Sequence, residues 1–293
     1  MWRSAPILAV VWLCLAVPPG AGALPQLRSR VELVRVPLTV TDRAGRFVPG
    51  LTAADFVLED DGARRPIASF AAGTDTLTVV FVVDTSWSMR EHVARLRRDA
   101  GEVIALLQPG DRAAIGTLTL PGTLRVSPAA LREDIARLPE PWEMSRVWHS
   151  IGWASDVSGH GPEPRAILLA SDGHDTDSSL AELERLPRAY RPQDAESRLE
   201  FAGAQLYVAV PRGERPPRPL RRMSDASGGA VLSVDDEAGL AGTWSRFLQD
   251  LRQQYYLAFT PTRTDGRRHS IEISVRRPGL KVRARTSYVA PRS

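Results

Sequence analysis

Three short apolar runs constrain this chain most: "TLTVVFVV" (76–83), "RAILLA" (165–170) and "AQLYVAV" (204–210). Each is continuous rather than alternating, so each needs cover on both faces. That is the mark of a strand inside a parallel sheet with helices on either side. Helical stripes lie between and after these runs. Val93, Leu96, Ala100, Val103, Ile104 and Leu107 share one face over 90–107. "PGD" (109–111) stops that helix, "RAAIGTLTL" (112–120) reads as the next strand, and "GTLRVS" (122–127) as its hairpin partner. Further helices are predicted over 128–138, 145–157, 178–186, 218–229 and 236–253, with a strand at 230–234. Alternating strands and helices predict an α/β fold with a doubly wound, mostly parallel sheet.

The flanks follow a different pattern. "VELVRVPLTVTD" (31–42) alternates through Val34, Val36, Leu38 and Val40, and "DFVLEDDGARRPIASF" (55–70) reads as a hairpin turning at Asp61-Gly62. After Gln254 the chain becomes β-rich again, with Ile271, Ile273, Val275 and Val282 on one face. A few strands with one apolar face rarely stand alone in water. The segments 24–75 and 255–293 are therefore expected to pair as one small β-sandwich, with the α/β segment 76–254 inserted between them.

Residues 1–23 read as a secretory signal: Arg3 in the n-region, "ILAVVWLCLAV" (7–17) as the h-region, and "AGA" (21–23) as the cleavage site, placing cleavage after Ala23. The alternative is an uncleaved anchor. The only cysteine, Cys14, falls inside this segment, so the mature chain forms no disulfide. No second long apolar run follows, so no membrane span is expected in the mature chain. The net charge of +4 argues against a nucleic-acid partner. Of 38 basic residues only Lys281 is a lysine.

Two apolar strands end in acids, at Asp84 and Asp172. In open α/β sheets, ligands bind beyond the carboxyl ends of strands where the strand order reverses. Neighbouring strands there would bring both carboxylates to one rim, beside the hydroxyls of Ser86 and Ser88. Such hard oxygen donors suit Mg²⁺, Mn²⁺ or Ca²⁺ rather than zinc. The plain alternative is a strand-to-helix turn with a capping hydroxyl.

"DTSWS" (84–88) resembles the Asp-x-Ser-x-Ser motif of the von Willebrand factor A domain, which opens that family's metal-ion-dependent adhesion site. "LLASDG" (168–173) is similar to the later strand-end Asp-Gly of the same site, and "DRAAI" (111–115) to the start of its second strand. The resemblance covers roughly 76–254. It implies that Ser86 and Ser88 ligate the metal, and that Asp84 and Asp172 act near it, often through water. It also implies a hydroxyl from an intervening loop, matched here by Ser145 in "WEMSRVWHSI" (142–151), where the family has Thr in a Gly-Thr context. With two carboxylates and neutral hydroxyls, the metal keeps positive charge and an open position for an acidic group on a partner. The flanks 40–62 and 255–291 resemble secreted bacterial proteins with this A-type domain, best known from acidobacteria.

Other chemistries find less support. Ser86 stands where an aspartyl phosphohydrolase would want a second acid, and no Gly-x-Ser-x-Gly or His-Glu-x-x-His occurs. "DGHDTD" (172–177) allows a second metal site from His174, Asp175 and Asp177, or a polar loop over the first. His149 falls in a helix; His92, His160 and His269 have no evident partners. The basic segment "PRGERPPRPLRR" (211–222) reads as a solvated loop, and the tail residues Arg267, Arg268, Arg276, Arg277, Lys281, Arg283 and Arg285 as solvent-facing positions. The expectation is a secreted or periplasmic, metal-dependent binding protein and not an enzyme. The alternatives are a metal-assisted hydrolase of an extracellular anionic substrate and a structural module with a vestigial site.

Overall fold

The computed structural model describes residues 33–292 except 75, 99, 141–144, 162, 177–189 and 235–236. The signal segment, the helix expected over 178–186 and Asp177 lie outside the described residues. The N-terminal flank supplies β1 (Val34–Thr41), β2 (Phe56–Asp60), β3 (Ala63–Arg65) and β4 (Ser69–Ala72). Asp61 and Gly62, with φ of +50° and +77°, make the two-residue turn between β2 and β3. Asp and Gly tolerate that left-handed backbone best, which is why the pair marks a hairpin.

The middle of the chain alternates: β5 (Thr78–Val83), α1 (Arg90–Arg98), α2 (Ala100–Ala105), β6 (Arg112–Thr117), α3 (Pro128–Ala136), α4 (Val147–Ser158) and β7 (Arg165–Ala170). It continues with α5 (Pro192–Ala202), β8 (Gln205–Val210), α6 (Arg218–Ala226), β9 (Val231–Ser233) and α7 (Gly239–Gln253). All five strands are parallel, in the order β6-β5-β7-β8-β9. Val79, Phe81 and Val83 pack with α1, α3 and α7 through Val93, Leu96, Ile135, Trp244 and Phe247. Val80 and Val82 face α4, α5 and α6 through Ile151, Ala195, Leu199, Leu220 and Met223. Both faces are covered, as the continuous apolar runs require, and the sheet is doubly wound. None of the described helices is long and apolar enough to cross a membrane.

Some elements differ from expectation. The strand at 112–120 ends at Thr117, and its expected hairpin partner shrinks to a single bridge between Ala113 and Arg125. Thr117 N–H bonds back to the Leu120 carbonyl at 2.9 Å, and Pro121 has no N–H to extend a ladder. The helix expected from 145 begins at Val147, leaving Ser145 in the preceding loop.

The C-terminal flank supplies β10 (Tyr255–Phe259), β11 (Arg268–Val275), β12 (Lys281–Ala284) and β13 (Ser287–Val289). Two four-stranded antiparallel sheets result, β12-β1-β10-β4 and β13-β11-β2-β3, and each draws strands from both flanks. Val34, Val36, Leu38, Val40, Phe56 and Leu58 share one core with Ile271, Ile273, Val275 and Val282. Tyr255 stacks on Phe47 and Phe70 in that core and donates its hydroxyl proton to the Val48 carbonyl.

Polar groups join the sandwich to the parallel sheet. Tyr207 and Thr39 donate to Asp250 at 2.7 and 3.1 Å, and Arg283 completes the set. The buried Asp111 carboxylate accepts from Leu77 N at 2.9 Å, Gln108 N at 2.8 Å and the Arg252 guanidinium. In the basic tail Arg267, Arg268, Arg276, Arg277 and Lys281 are exposed, as expected, while Arg283 and Arg285 are half-buried, and several of these side chains also reach partners. Arg268 pairs with Glu196 and Glu200, Arg277 with Asp55, and Arg283 with Asp250, while Arg276 donates to the Ala54 carbonyl.

His269, with no partner evident from sequence, is buried between two acids. Its Nδ1 lies 2.7 Å from Asp61 and its Nε2 3.0 Å from Asp265. Hydrogen bonds to Asp265 and then Asp61 raise its pKa, while the His269 bond draws the Asp61 carboxyl down to about 2.

Candidate metal site at the strand-order reversal

In sequence order the parallel strands read 2-1-3-4-5, so the order reverses between β5 and β7. The sheet opens a crevice there, at the carboxyl ends of those strands. Val83 pairs with Ala170, so the next residues, Asp84 and Ser171, lie side by side at this rim. The Asp84 N–H extends the ladder to the Ala170 carbonyl at 2.9 Å.

Asp84 is 0% exposed. Its Oδ2 accepts from Ser171 Oγ at 2.6 Å and its Oδ1 from Ser86 N at 2.8 Å. The second bond tightens the turn that brings Ser86 and Ser88 back over the strand end. Ser88 Oγ donates to Asp172 Oδ2 at 2.7 Å, and the Ser86 and Ser88 hydroxyls lie 3.1 Å apart. Asp172 Oδ1 accepts from His174 N at 3.0 Å. Burial pushes the Asp84 pKa up; the bonds from Ser171 and Ser86 oppose this, and the Asp172 charge adds to it.

Asp84, Ser86, Ser88 and Asp172 thus converge in one connected cluster. Ser145 is buried and, among the described residues, joins through its backbone: its carbonyl accepts from Thr176 N at 2.8 Å and Thr176 Oγ1 at 3.1 Å. That link ties the loop before α4 to the loop after Asp172. Asp175 accepts from Trp148 N at 3.1 Å and so caps α4, while His174 is exposed. Among the described residues, no three of His, Cys, Asp or Glu gather as a metal cluster. Sequence reasoning missed Ser171, which holds Asp84; only the pairing of β5 with β7 reveals it.

The donor set is compatible with a hard cation. Six oxygens about 2.1 Å from Mg²⁺ lie about 3 Å from their neighbours. The Ser86–Ser88 and Ser88–Asp172 separations of 3.1 and 2.7 Å are close to that spacing. Trp87, between the two serines, is 69% exposed, and the Arg90 guanidinium lies 4.9 Å from its ring centroid.

No family model and no curated protein matches the chain. Many solved structures are similar, among them three at low identity. A von Willebrand factor type A protein from Catenulispora acidiphila is 15% identical with a TM-score of 0.47, covering 90% of this chain and 75% of that one. Proximal thread matrix protein 1 from the mussel byssus is 12% identical with a TM-score of 0.45, covering 66% and 49%. The human COPII-coat protein Sec24c is 10% identical with a TM-score of 0.40, covering 77% and 44%.

Proposed function

We propose that this chain is an extracytoplasmic binding protein of the von Willebrand factor A type. In this reading its rim holds a divalent cation, Mg²⁺ or else Mn²⁺ or Ca²⁺, and engages an acidic group on a partner. The observation that carries the reading is the Ser86–Ser88–Asp172 cluster beside buried Asp84 at the β5/β7 crevice. When bound, the ion supplies a Lewis-acidic docking point for a carboxylate. Ser86, Ser88 and Asp172 would hold it, with Ser145 the candidate for a further hydroxyl from the loop before α4.

Asp84 works from behind this shell. Ser171 and the Ser86 N–H lock its carboxylate, which shapes the serine turn. Its desolvated charge, next to that of Asp172, costs free energy that a cation offsets. Exposed Trp87 offers a partner apolar surface beside the ion. Secretion rests on the signal-like residues 1–23.

Isothermal titration of the mature chain with MgCl₂ and MnCl₂ tests the site. Binding should disappear in Asp84→Ala and in Ser86→Ala/Ser88→Ala. The serine pair matters because both hydroxyls can be removed without emptying the core. Titrations that match between the serine variant and the unaltered chain would sink the assignment.

A further inference from the structure

We propose that the outer face of α6 forms a second, metal-independent site for a carboxylate-rich peptide segment. The segment 211–222 carries five arginines, Arg212, Arg215, Arg218, Arg221 and Arg222, and one acid, Glu214. Arg218, Arg221 and Arg222 are exposed, opposite the buried Leu220, Met223 and Ser224. They line an open groove of about 480 Å³ with Asp225, Ala226 and Thr286. A spacing of three or four helical residues puts these side chains on one face, their Cβ atoms about 5–6 Å apart.

What distinguishes this patch is that part of its charge, on Arg218 and Arg221, is not matched by an acid among the described residues. Arg222 pairs with Glu196 at 3.0 Å. Arg218 and Arg221 have no acidic partner among the described residues, whereas four arginines of the C-terminal tail are engaged. Asp225 and Glu196 offset the charge near Arg222 and leave the excess toward the start of the helix. The helix begins there without a side-chain cap, so its positive dipole end adds to the same charge. A guanidinium fork donates two parallel bonds to a carboxylate, which favours arginine for this task.

The location favours a polypeptide ligand. A Cβ placed on Gly173 would lie 2.5 Å from Pro217 Cδ and 3.1 Å from Leu220 Cδ2. The first turn of α6 therefore packs directly on the loop that follows Asp172, and Arg218 and Arg221 lie just beyond it. A chain whose acidic side chain reaches the rim would continue across these arginines, so successive acidic residues complement both places. That choice of ligand rests on the reading of the rim above; the charge of the groove does not.

The probe is a fluorescein-labelled hexaglutamate peptide, followed by anisotropy against the mature chain. In EDTA at low salt the peptide should bind, and binding should weaken as salt is added. Arg218→Ala/Arg221→Ala should weaken it roughly tenfold, and Arg218→Glu/Arg221→Glu should abolish it. A charge-matched control on the sandwich, Arg43→Ala/Arg267→Ala, should leave affinity within about twofold, since it keeps the groove intact. Melting temperatures should not move, because these side chains are exposed. No binding in EDTA, or equal loss in the control, overturns the groove. Binding that requires Mg²⁺ and survives Arg218→Glu/Arg221→Glu also overturns it while leaving the rim. Binding in EDTA that depends on the arginines, with no response to Mg²⁺, keeps the groove and removes the rim.

Discussion

Ser171→Ala is the sharpest single test of how the rim is built. The fully buried hydroxyl donates to Asp84 Oδ2 at 2.6 Å and accepts from Gly173 N at 2.9 Å. A hydrogen bond to a charged partner contributes about 1.5–3 kcal/mol, and an orphaned buried N–H costs about 1–3 kcal/mol. The two effects overlap, since Asp84 and the Gly173 loop can relax, so the expected loss is about 2–4 kcal/mol. A domain of ordinary stability, about 5–15 kcal/mol, survives that loss. Urea unfolding in chelator at neutral pH should show a lower midpoint with an unchanged slope.

The loss should also depend on pH. Burial holds the folded Asp84 pKa above 3.8, and the Ser171 bond pulls it back down. Without Ser171 it rises further. A carboxyl with a raised folded pKa costs stability only once it ionises, so the gap between the two proteins should widen as pH rises through the folded values. A loss below about 0.5 kcal/mol, the size of an ordinary surface change, would refute this account of how Asp84 is held. So would a gap that stays constant with pH.

Two further outcomes follow from the buried ion pairs. The folded pKa of His269 lies above 6.5, so its charged contacts with Asp61 and Asp265 stabilise fully below that value and fade as pH rises through the folded one. The melting-temperature advantage over His269→Gln should thus be largest in mild acid and shrink in mild alkali; a constant difference contradicts it. Asp111→Ala should lower unfolding free energy by about 3–5 kcal/mol, because Arg252 and two backbone N–H groups lose a buried acceptor. A denaturation midpoint close to the unaltered one would show that this carboxylate is dispensable.

The strands β5, β7 and β8 were legible because each is apolar without alternation, and the flanks because each shows one unpaired apolar face. Asp84 and Asp172 could be read as strand-end acids, and the crevice rule brought them together. Ser171 could not be read this way, because nothing local marks it. Its role depends on β7 lying beside β5 in the register that sets Ala170 against Val83. His269 was opaque for a similar reason: one of its acids is 208 residues away in a hairpin turn. The expected hairpin after β6 failed because apolar alternation cannot show where a proline and a tight turn end a ladder. Alternation placed most of the basic tail toward solvent correctly, but it gives direction only and could not show the acids that Arg268, Arg283 and Arg277 reach on α5, on α7 and near β2.

The interleaved sandwich imposes an order on assembly. Apart from a local bridge between Thr41 and Phe47, the strand partners of β1 among the described residues are β10 and β12, so most of its length stays unmatched until nearly the whole chain is available. Thr39 and Gln254, which meet in the junction, are 215 residues apart. Once the parallel sheet and α7 have formed, Gly73 N bonds to the Gln254 carbonyl at 2.8 Å. The span left to close is then only the run from Thr39 to Gly73, which lowers the loop-closure cost by roughly 1.5 kcal/mol. The α/β core therefore serves as the template on which the two chain ends find each other. Until it exists, β1 is an exposed edge inviting the wrong partner.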